Sequence, residues 1–374
     1  MKKPNHRVRR GCRRIVTILV VAVAATACGT GDGEVATSPR SSSTVDAPGA
    51  SGTPLASSAT TTTVSFPLTV ESCGRKVTIA KRPTRVAAQL RNEMETLLYL
   101  GLADKIAAWA GPGAPNRTPV LAAEYAKLPD AGRFPLSKEV LVGAGVELLL
   151  SNFAFQGTTP ADLEPLGIAM LQPTAYCGEP GAVGGGTAGA GTPKQPDGKP
   201  AVVEAILGDV RRLGRIFGVE ERAATLVEQQ KARLDTVAVA VRGKVRPTVV
   251  PVFFMAGLDG APRVEGRLGI PQAMIDIAGG TNVFERLDQS FVDVSPEALL
   301  EARPEVILVI ESGVAPPLDA VRTMMKSSPK YAQIPAVVND RFVSISAEEY
   351  MPGLRFADGV ERIAAVLHPG AVGR

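Results

Sequence analysis

Ser137-Lys138-Glu139-Val140-Leu141 leads to Val146-Glu147-Leu148-Leu149-Leu150, and Ser295-Pro296-Glu297-Ala298-Leu299 leads to Pro304-Glu305-Val306-Ile307-Leu308. The two copies keep a constant offset of 158 residues. Each has a serine able to cap a helix, a glutamate in the first turn, a short apolar helix, and a strand reached after the same spacing. Capped helices before strands are common, so one such pair can arise by chance, but the unchanged spacing argues for two similar lobes. Outward from these copies, short apolar runs alternate with helical patterns. Strands are expected over 85–88, 105–109, 146–151, 248–255 and 306–310, and helices over 93–100, 202–217, 220–242 and 270–278. This is the order of an α/β protein. The 220–242 stretch is charged and contains no proline, and as one helix it would extend roughly 34 Å.

The first 27 residues carry Lys2, Lys3, Arg7, Arg9, Arg10, Arg13 and Arg14 with no acid, followed by an apolar run from Ile15 to Ala27. That run is too short to cross a bilayer, which needs about 20 residues, and it ends in Ala25, Thr26 and Ala27, as a secretory signal does. Cys28 follows directly. Small residues before a cysteine resemble the lipobox of bacterial lipoproteins, which makes Cys28 the expected lipidation site, although Ala25 stands where leucine is usual. Residues 28–65 are Ser, Thr, Ala, Gly and Pro with almost no large apolar side chain, so they cannot build a core. A tether of that length has a typical end-to-end distance of roughly 30 to 35 Å, enough to hold a globular head clear of a membrane.

The whole chain has a formal charge of +4 from 41 basic and 37 acidic residues. Loss of residues 1–27 removes seven basic residues and no acid, leaving 34 against 37. The basic excess therefore belongs to the leader and gives no reason to expect a nucleic-acid partner. His6 leaves as well, so only His368 remains for a histidine-based metal site or a catalytic triad. Neither G-x-S-x-G nor a plausible base beside any serine is present, which disfavours an exported hydrolase. No catalytic residue, metal site or cofactor is assigned. Cys12 goes with the leader and Cys28 is the lipid site, so Cys73 and Cys177 remain and are expected to pair, as an even remainder does in an oxidising compartment.

Residues 178–200 form a second Gly/Pro-rich stretch. Gly184, Gly186 and Gly189 formally match G-x-G-x-x-G, but the dinucleotide fingerprint needs a strand before and a helix after, so the stretch is read as a surface insertion. The expected organisation is a signal peptide (1–27), a lipid-attached tether (28–65), a first lobe (66–219, with the insertion at 178–200), a linker helix (220–242) and a second lobe (243–374).

Several stretches are similar to the iron-siderophore and vitamin B12 type of substrate-binding protein of ABC importers, in its actinobacterial lipoprotein form. Phe66 to Gly74 resembles the opening hairpin, Pro83 to Ala87 the first strand, and Leu100 to Asp104 the turn after the first helix. Ala278 to Phe284 and Pro352 to Asp358 resemble further blocks of the family. The resemblance spans roughly residues 66–369. It implies two Rossmann-like α/β lobes joined by a single long helix, with a ligand held in the cleft between them. It also implies one glutamate on each lobe that docks onto arginines of a permease dimer, at Glu139 and Glu297. Two carboxylates at equivalent places suit a pseudo-symmetric partner, although each is also an ordinary first-turn glutamate.

In open α/β sheets ligands meet the loops after strand C-termini. Those loops nominate Arg91, Trp109, Phe153, Arg267, Tyr350 and Arg355 as ligand-binding residues, with Gln89, Asn92 and Met255 close by. Arginines suit an anionic ferric siderophore and aromatic rings cover its apolar face. Phe356 stands where the family usually has a polar residue after the arginine, which loosens any transfer of ligand specificity. The expectation is a lipid-anchored extracytoplasmic receptor for a ferric-siderophore-type chelate, working with an ABC permease and its ATPase. Cobalamin or haem receptors, and a sensor or adhesion protein without transport, are the alternatives.

Overall fold

Thr248 and Thr84 each stand just before or at the start of a buried strand, and each is gripped by a glutamate of the repeated motif. The computed structural model describes residues 64–111, 119–177, 197–254, 261–313 and 315–371. The signal peptide, Cys28, most of the tether, most of the insertion and Met255 lie outside the described residues.

The described chain opens with a hairpin, β1 (Leu68–Ser72) and β2 (Arg75–Ile79). Its two-residue turn, Cys73-Gly74, has positive φ at both positions (50° and 74°), as a tight hairpin turn requires. Cys73 is bonded to Cys177, 104 residues away. The first lobe continues through β3 (Val86–Ala88), α1 (Arg91–Tyr99), β4 (Ile106–Trp109), α2 (Ala122–Tyr125), α3 (Lys138–Gly143), β5 (Leu148–Leu150), α4 (Pro160–Leu163) and β6 (Ala169–Leu171). Two long helices follow, α5 (Lys199–Phe217) and α6 (Glu220–Ala240). The second lobe contains β7 (Thr248–Phe253), β8 (Arg263–Glu265), α7 (Ile270–Ile277), β9 (Thr281–Asn282), β10 (Phe291–Asp293) and α8 (Pro296–Ala302). It ends with β11 (Val306–Glu311), α9 (Leu318–Ser327), α10 (Pro335–Val338), β12 (Phe342–Ser346), α11 (Ala347–Tyr350) and α12 (Phe356–Leu367).

Four parallel strands in the order β4-β3-β5-β6 make the first sheet. The second has a parallel core, β9-β7-β11-β12, extended by antiparallel β8 and β10. The protein is thus an α/β fold of two lobes, each built around the same parallel strand order.

The repeated motif generates this symmetry. Ser137 and Ser295 cap α3 and α8 by accepting from the N–H groups of Val140 and Ala298. Leu141 and Leu299, at matching positions, are both fully buried, and β5 and β11 begin at Leu148 and Val306, the same 158 residues apart. The glutamate before each strand does equivalent work. Glu147 Oε2 accepts from the Thr84 N–H (2.7 Å), the Thr84 hydroxyl (3.1 Å) and the Arg85 N–H (3.2 Å). Glu305 Oε2 accepts from the Thr248 N–H (2.8 Å) and hydroxyl (3.2 Å). Burial opposes ionisation of Glu147, yet Lys81, Thr84 and Arg85 together hold its carboxyl at about 2.

α5 and α6 run antiparallel, and each enters both hydrophobic cores. On α5, Val202, Ala205 and Ile206 pack in the second-lobe core, while Leu207, Val210, Leu213, Ile216 and Phe217 pack in the first. On α6 the order is reversed, with Ala223 and Val227 in the first core and Leu234 and Val237 in the second. The helices meet closely at Gly214, where a Cβ would stand 2.5 Å from that of Ala223. The turn between them is made by Gly218 in the left-handed conformation. The long helix expected over 220–242 is therefore accompanied along its length by a second one.

Glu147→Ala and Glu305→Ala each leave strand-entry donors without their acceptor. Each is expected to lower unfolding free energy by about 1–3 kcal/mol in urea titrations, with additive losses in the double variant because the sites lie in different lobes. A neutral effect of either change would remove the proposed equivalence.

Candidate functional site

The C-terminal ends of β3, β5 and β12 converge where the two lobes touch. α1 starts right after β3 and places Arg91, Asn92 and Glu93 at this junction. The loop after β5 brings Asn152 and Phe153, and β12 runs directly into α11, which carries Glu348, Glu349 and Tyr350. α11 is fixed by a reciprocal cap: Ser346 N–H donates to Glu349 Oε2 (2.8 Å) and Glu349 N–H donates to the Ser346 hydroxyl (3.3 Å).

Arg91 of the first lobe donates through Nε to Glu348 Oε1 of the second at 2.6 Å, with side chains only 6% and 4% exposed. Beside this pair lies Arg355, whose ion-pair distances are all long: 3.9 Å to Glu95, 3.9 Å to Glu348, 3.7 Å to Glu349 and 3.5 Å to Asp358. Its Nε and Nη1 are buried without a hydrogen-bond partner among the described residues. Burial pulls the Arg355 pKa down, but the surrounding carboxylates outweigh it and the guanidinium is held more firmly charged than usual. Glu95 accepts from the Tyr125 hydroxyl at 2.6 Å. Glu349 also accepts from Arg362 at 2.8 Å.

Neutral contacts cross the same junction. Asn92 Nδ2 donates to the Pro352 carbonyl (2.9 Å) and to Asn152 Oδ1 (3.3 Å). Asn152 Nδ2 and the Tyr176 hydroxyl both reach Met351 Sδ, at 3.2 and 3.1 Å. Leu354, in the segment after α11, is buried within the first-lobe core. A row of rings, Phe134, Phe155, Phe153 and Tyr176, packs edge to face with centroids 5.3, 6.1 and 5.3 Å apart and ends at Met351. Beside the junction lies a partly open pocket of about 40 Å³ lined by Glu93, Thr96, Asp209, Arg212, Pro352 and Gly353 among others.

Of the six residues nominated from sequence, Arg91, Phe153, Tyr350 and Arg355 lie on the elements that meet here. Trp109 is buried in the first-lobe core, with Nε1 donating to the Pro129 carbonyl at 2.8 Å. Arg267 pairs with Asp197 and Asp288 and shares none of its partners with the other nominees. Gln89 is committed to the Leu136 backbone through both ends of its amide. Glu95, Glu348, Met351 and Tyr176 were not singled out from sequence. A Ser-x-x-Glu capping signature after an apolar run, at Ser346 to Glu349, was the available signal for α11.

Glu139 and Glu297 are exposed in the first turns of α3 and α8. Both carboxyls titrate below the usual range. For Glu139 the Ser137 hydroxyl is the main cause, followed by its own N–H; for Glu297 the order is its own N–H, then Ser295. His368 is buried in the second lobe with Nε2 3.1 Å from the Gly279 carbonyl. Among the described residues, no cluster of three or more His, Cys, Asp or Glu is placed to hold a metal ion, and no helix is long and apolar enough to cross a membrane.

A sequence model of the periplasmic binding protein family matches residues 188–349. No curated protein sequence matches. Among solved structures, one described as an ABC-type Fe3+-hydroxamate transport system from Saccharomonospora viridis is 25% identical with a TM-score of 0.65, covering 81% of this chain and 100% of its own. A periplasmic binding protein from Veillonella parvula is 21% identical at 0.65, covering 80% and 97%. A periplasmic heme-binding protein from Roseiflexus is 19% identical at 0.58, covering 77% and 98%. The family match covers residues 188–349, under half of the chain, and the likeness to the solved structures, which extends over most of the chain, is one of fold.

Glu93 supplies a pH test of the junction. Its Oε2 accepts from the Leu90 N–H (3.0 Å). Burial drives its pKa up to about 8, against smaller opposing bonds from the backbone of Leu90, Asn152 and Gln89. The folded chain therefore holds this proton more tightly than the unfolded chain does. Its contribution is fully present below about pH 4.5 and is lost as pH rises through about 8. Thermal stability is expected to fall between about pH 5 and 8, and Glu93→Gln, which keeps the helix cap, is expected to flatten that fall by the equivalent of a few (~2–4) kcal/mol. An identical pH profile for the variant would place the titration elsewhere.

Proposed function

We propose that this chain is the extracytoplasmic substrate-binding component of an ABC importer, that it captures a ferric-siderophore-type chelate between its lobes, and that it delivers the chelate to a permease dimer. The observation that carries this reading is the meeting of strand C-termini from both lobes around Arg91, Arg355 and the aromatic row of Phe153, Phe155 and Tyr176. Guanidinium groups recognise carboxylate, hydroxamate and catecholate oxygens, and the rings cover the apolar faces of a chelator. The similarity to the Saccharomonospora structure, described as belonging to an Fe3+-hydroxamate transport system, supports iron chelates as the substrate class.

Cys28 would anchor the mature chain by lipid to the outer face of the membrane, with residues 29–65 as its tether. Glu139 and Glu297 would dock the lobes on the permease, since both are exposed, ionised and set at equivalent helix starts. Haem is the second reading, supported by the heme-binding structure from Roseiflexus. A haem would draw on Tyr176 or Tyr350 for its iron, because His368 is engaged in the second lobe.

Calorimetric titration of the mature chain with hydroxamate, catecholate and citrate complexes of iron(III), with haem and with cobalamin, is expected to give saturable sub-micromolar binding to one iron-chelate class, about −8 kcal/mol or stronger. Silence across the iron chelates with binding of haem would select the second reading. Replacing Glu139 and Glu297 together with Ala is expected to abolish cellular uptake and leave the calorimetric affinity unchanged. Undiminished uptake would remove the docking assignment.

A further inference from the structure

We infer that Glu348 is an internal stand-in for the ligand's anionic group: it pairs with Arg91 and faces Arg355 at the junction, and an anionic chelate enters by exchanging for it. The inference rests on the ligand-binding reading above and adds to it a residue that sets charge preference. Glu348 divides its two oxygens between the two guanidinium groups, Oε1 on Arg91 at 2.6 Å and Oε2 toward Arg355 at 3.9 Å. An anion with two oxygens would be held in the same way.

Three features make this carboxylate the exchangeable member of the cluster. Glu95 is tied to the Tyr125 hydroxyl on its own lobe, and Glu349 is committed to its helix cap and to Arg362. Glu348 instead reaches across to the opposite lobe from a helix of four residues. Arg355 keeps two buried N–H-bearing atoms without a hydrogen-bond acceptor, so its donor capacity is unused while Glu348 is in place.

The backbone around the pair is fixed. Pro352 accepts from Asn92, and Leu354 is part of the first-lobe core. The exchange therefore falls to the glutamate side chain and the short helix that carries it. A ligand bearing at least one negative charge replaces what it displaces, whereas a neutral or cationic ligand would take one carboxylate away from two buried guanidinium groups without replacing it, which is costly. The arrangement predicts a receptor that prefers anionic chelates because of a carboxylate that competes with them.

The test compares the mature chain with Glu348→Gln by two readouts. In the absence of ligand, amide hydrogen exchange over residues 91–95 and 347–350 is expected to be about tenfold faster in the variant, because the buried pair no longer closes the junction. Affinity for anionic iron(III) citrate is expected to rise about tenfold, while affinity for a neutral iron(III) trihydroxamate changes less than about threefold. Unchanged exchange overturns the inference, as does faster exchange with unchanged or weaker citrate binding. Faster exchange with no chelate bound by either protein would sink the ferric-chelate reading while supporting the closing role of Glu348. Should Glu348→Gln fail to fold, Glu348→Asp retains the charge and withdraws it by one methylene; both readouts are then expected to move the same way by roughly threefold, and their absence overturns the inference equally.

Discussion

Val227 and Leu234 lie two turns apart on one helix and belong to different hydrophobic cores. On its antiparallel neighbour the adjacent residues Ile206 and Leu207 are likewise divided between the two cores. This sharing is the constraint on which the rest of the molecule depends. α6 alone is 21 residues long, about 31 Å, and a helix of that length does not bend without an identifiable cause such as a proline or a bulge. Each Val or Leu removed from a core forfeits roughly 1.5–3 kcal/mol of burial. Pulling the lobes far apart would therefore expose several such side chains at once, and large hinge motion is unfavourable. What remains free is local: side chains and short helices at the strand ends, where the polar cluster sits.

The same division of labour explains why the two lobes look alike where they are structural and differ where they meet. Glu147 and Glu305 grip the start of a neighbouring strand with the same hydrogen bonds, Leu141 and Leu299 fill the same place, and Ser137 and Ser295 start the same helix. These contacts sit at the N-terminal ends of the strands or on the helices before them. At the C-terminal ends the symmetry is gone. The first lobe offers Arg91 and Asn92 from a nine-residue helix, and the second offers Glu348 from a four-residue one, with Arg355 following an irregular segment. Complementary rather than identical chemistry is what a junction between two repeats needs.

That contrast also sets how much was legible. The spacing of the repeat placed a strand after each capped helix: the one expected from 306 starts there, and the one expected from 146 starts two residues later, at Leu148. The long helices were readable as long stretches uninterrupted by strand or turn signals, with two of their four ends as expected and the others shifted by two and three residues. β8, β9 and β10 were not, since two or three residues carry no period. They are strands only because β7 supplies an edge, directly or through β8. The site was readable by position and not by partnership. Strand-end reasoning placed Arg91 and Arg355 on elements that meet at the junction, but Arg91 pairs with a glutamate 257 residues away, and no local pattern announces such a contact. Arg267 looked equally suitable in sequence, and its two aspartates, one of them 70 residues distant, became visible only in three dimensions.

Stability and selectivity in this protein thus come from different places. A buried ion pair is a poor source of net stability, because desolvating both charges offsets most of their attraction. Two buried arginines among Glu95, Glu348 and Glu349 are hard to justify as a way of holding lobes together when two long helices already do so. Under the proposed ligand-binding reading they form a charge environment whose balance a ligand must match. The disulfide fits the same scheme. By tying Cys73 in the hairpin turn to Cys177, it restrains the residue next to Tyr176, the ring that ends the aromatic row at Met351. The covalent constraint and the apolar helices hold the walls of the junction still, so that the polar side chains between them are free to respond to charge.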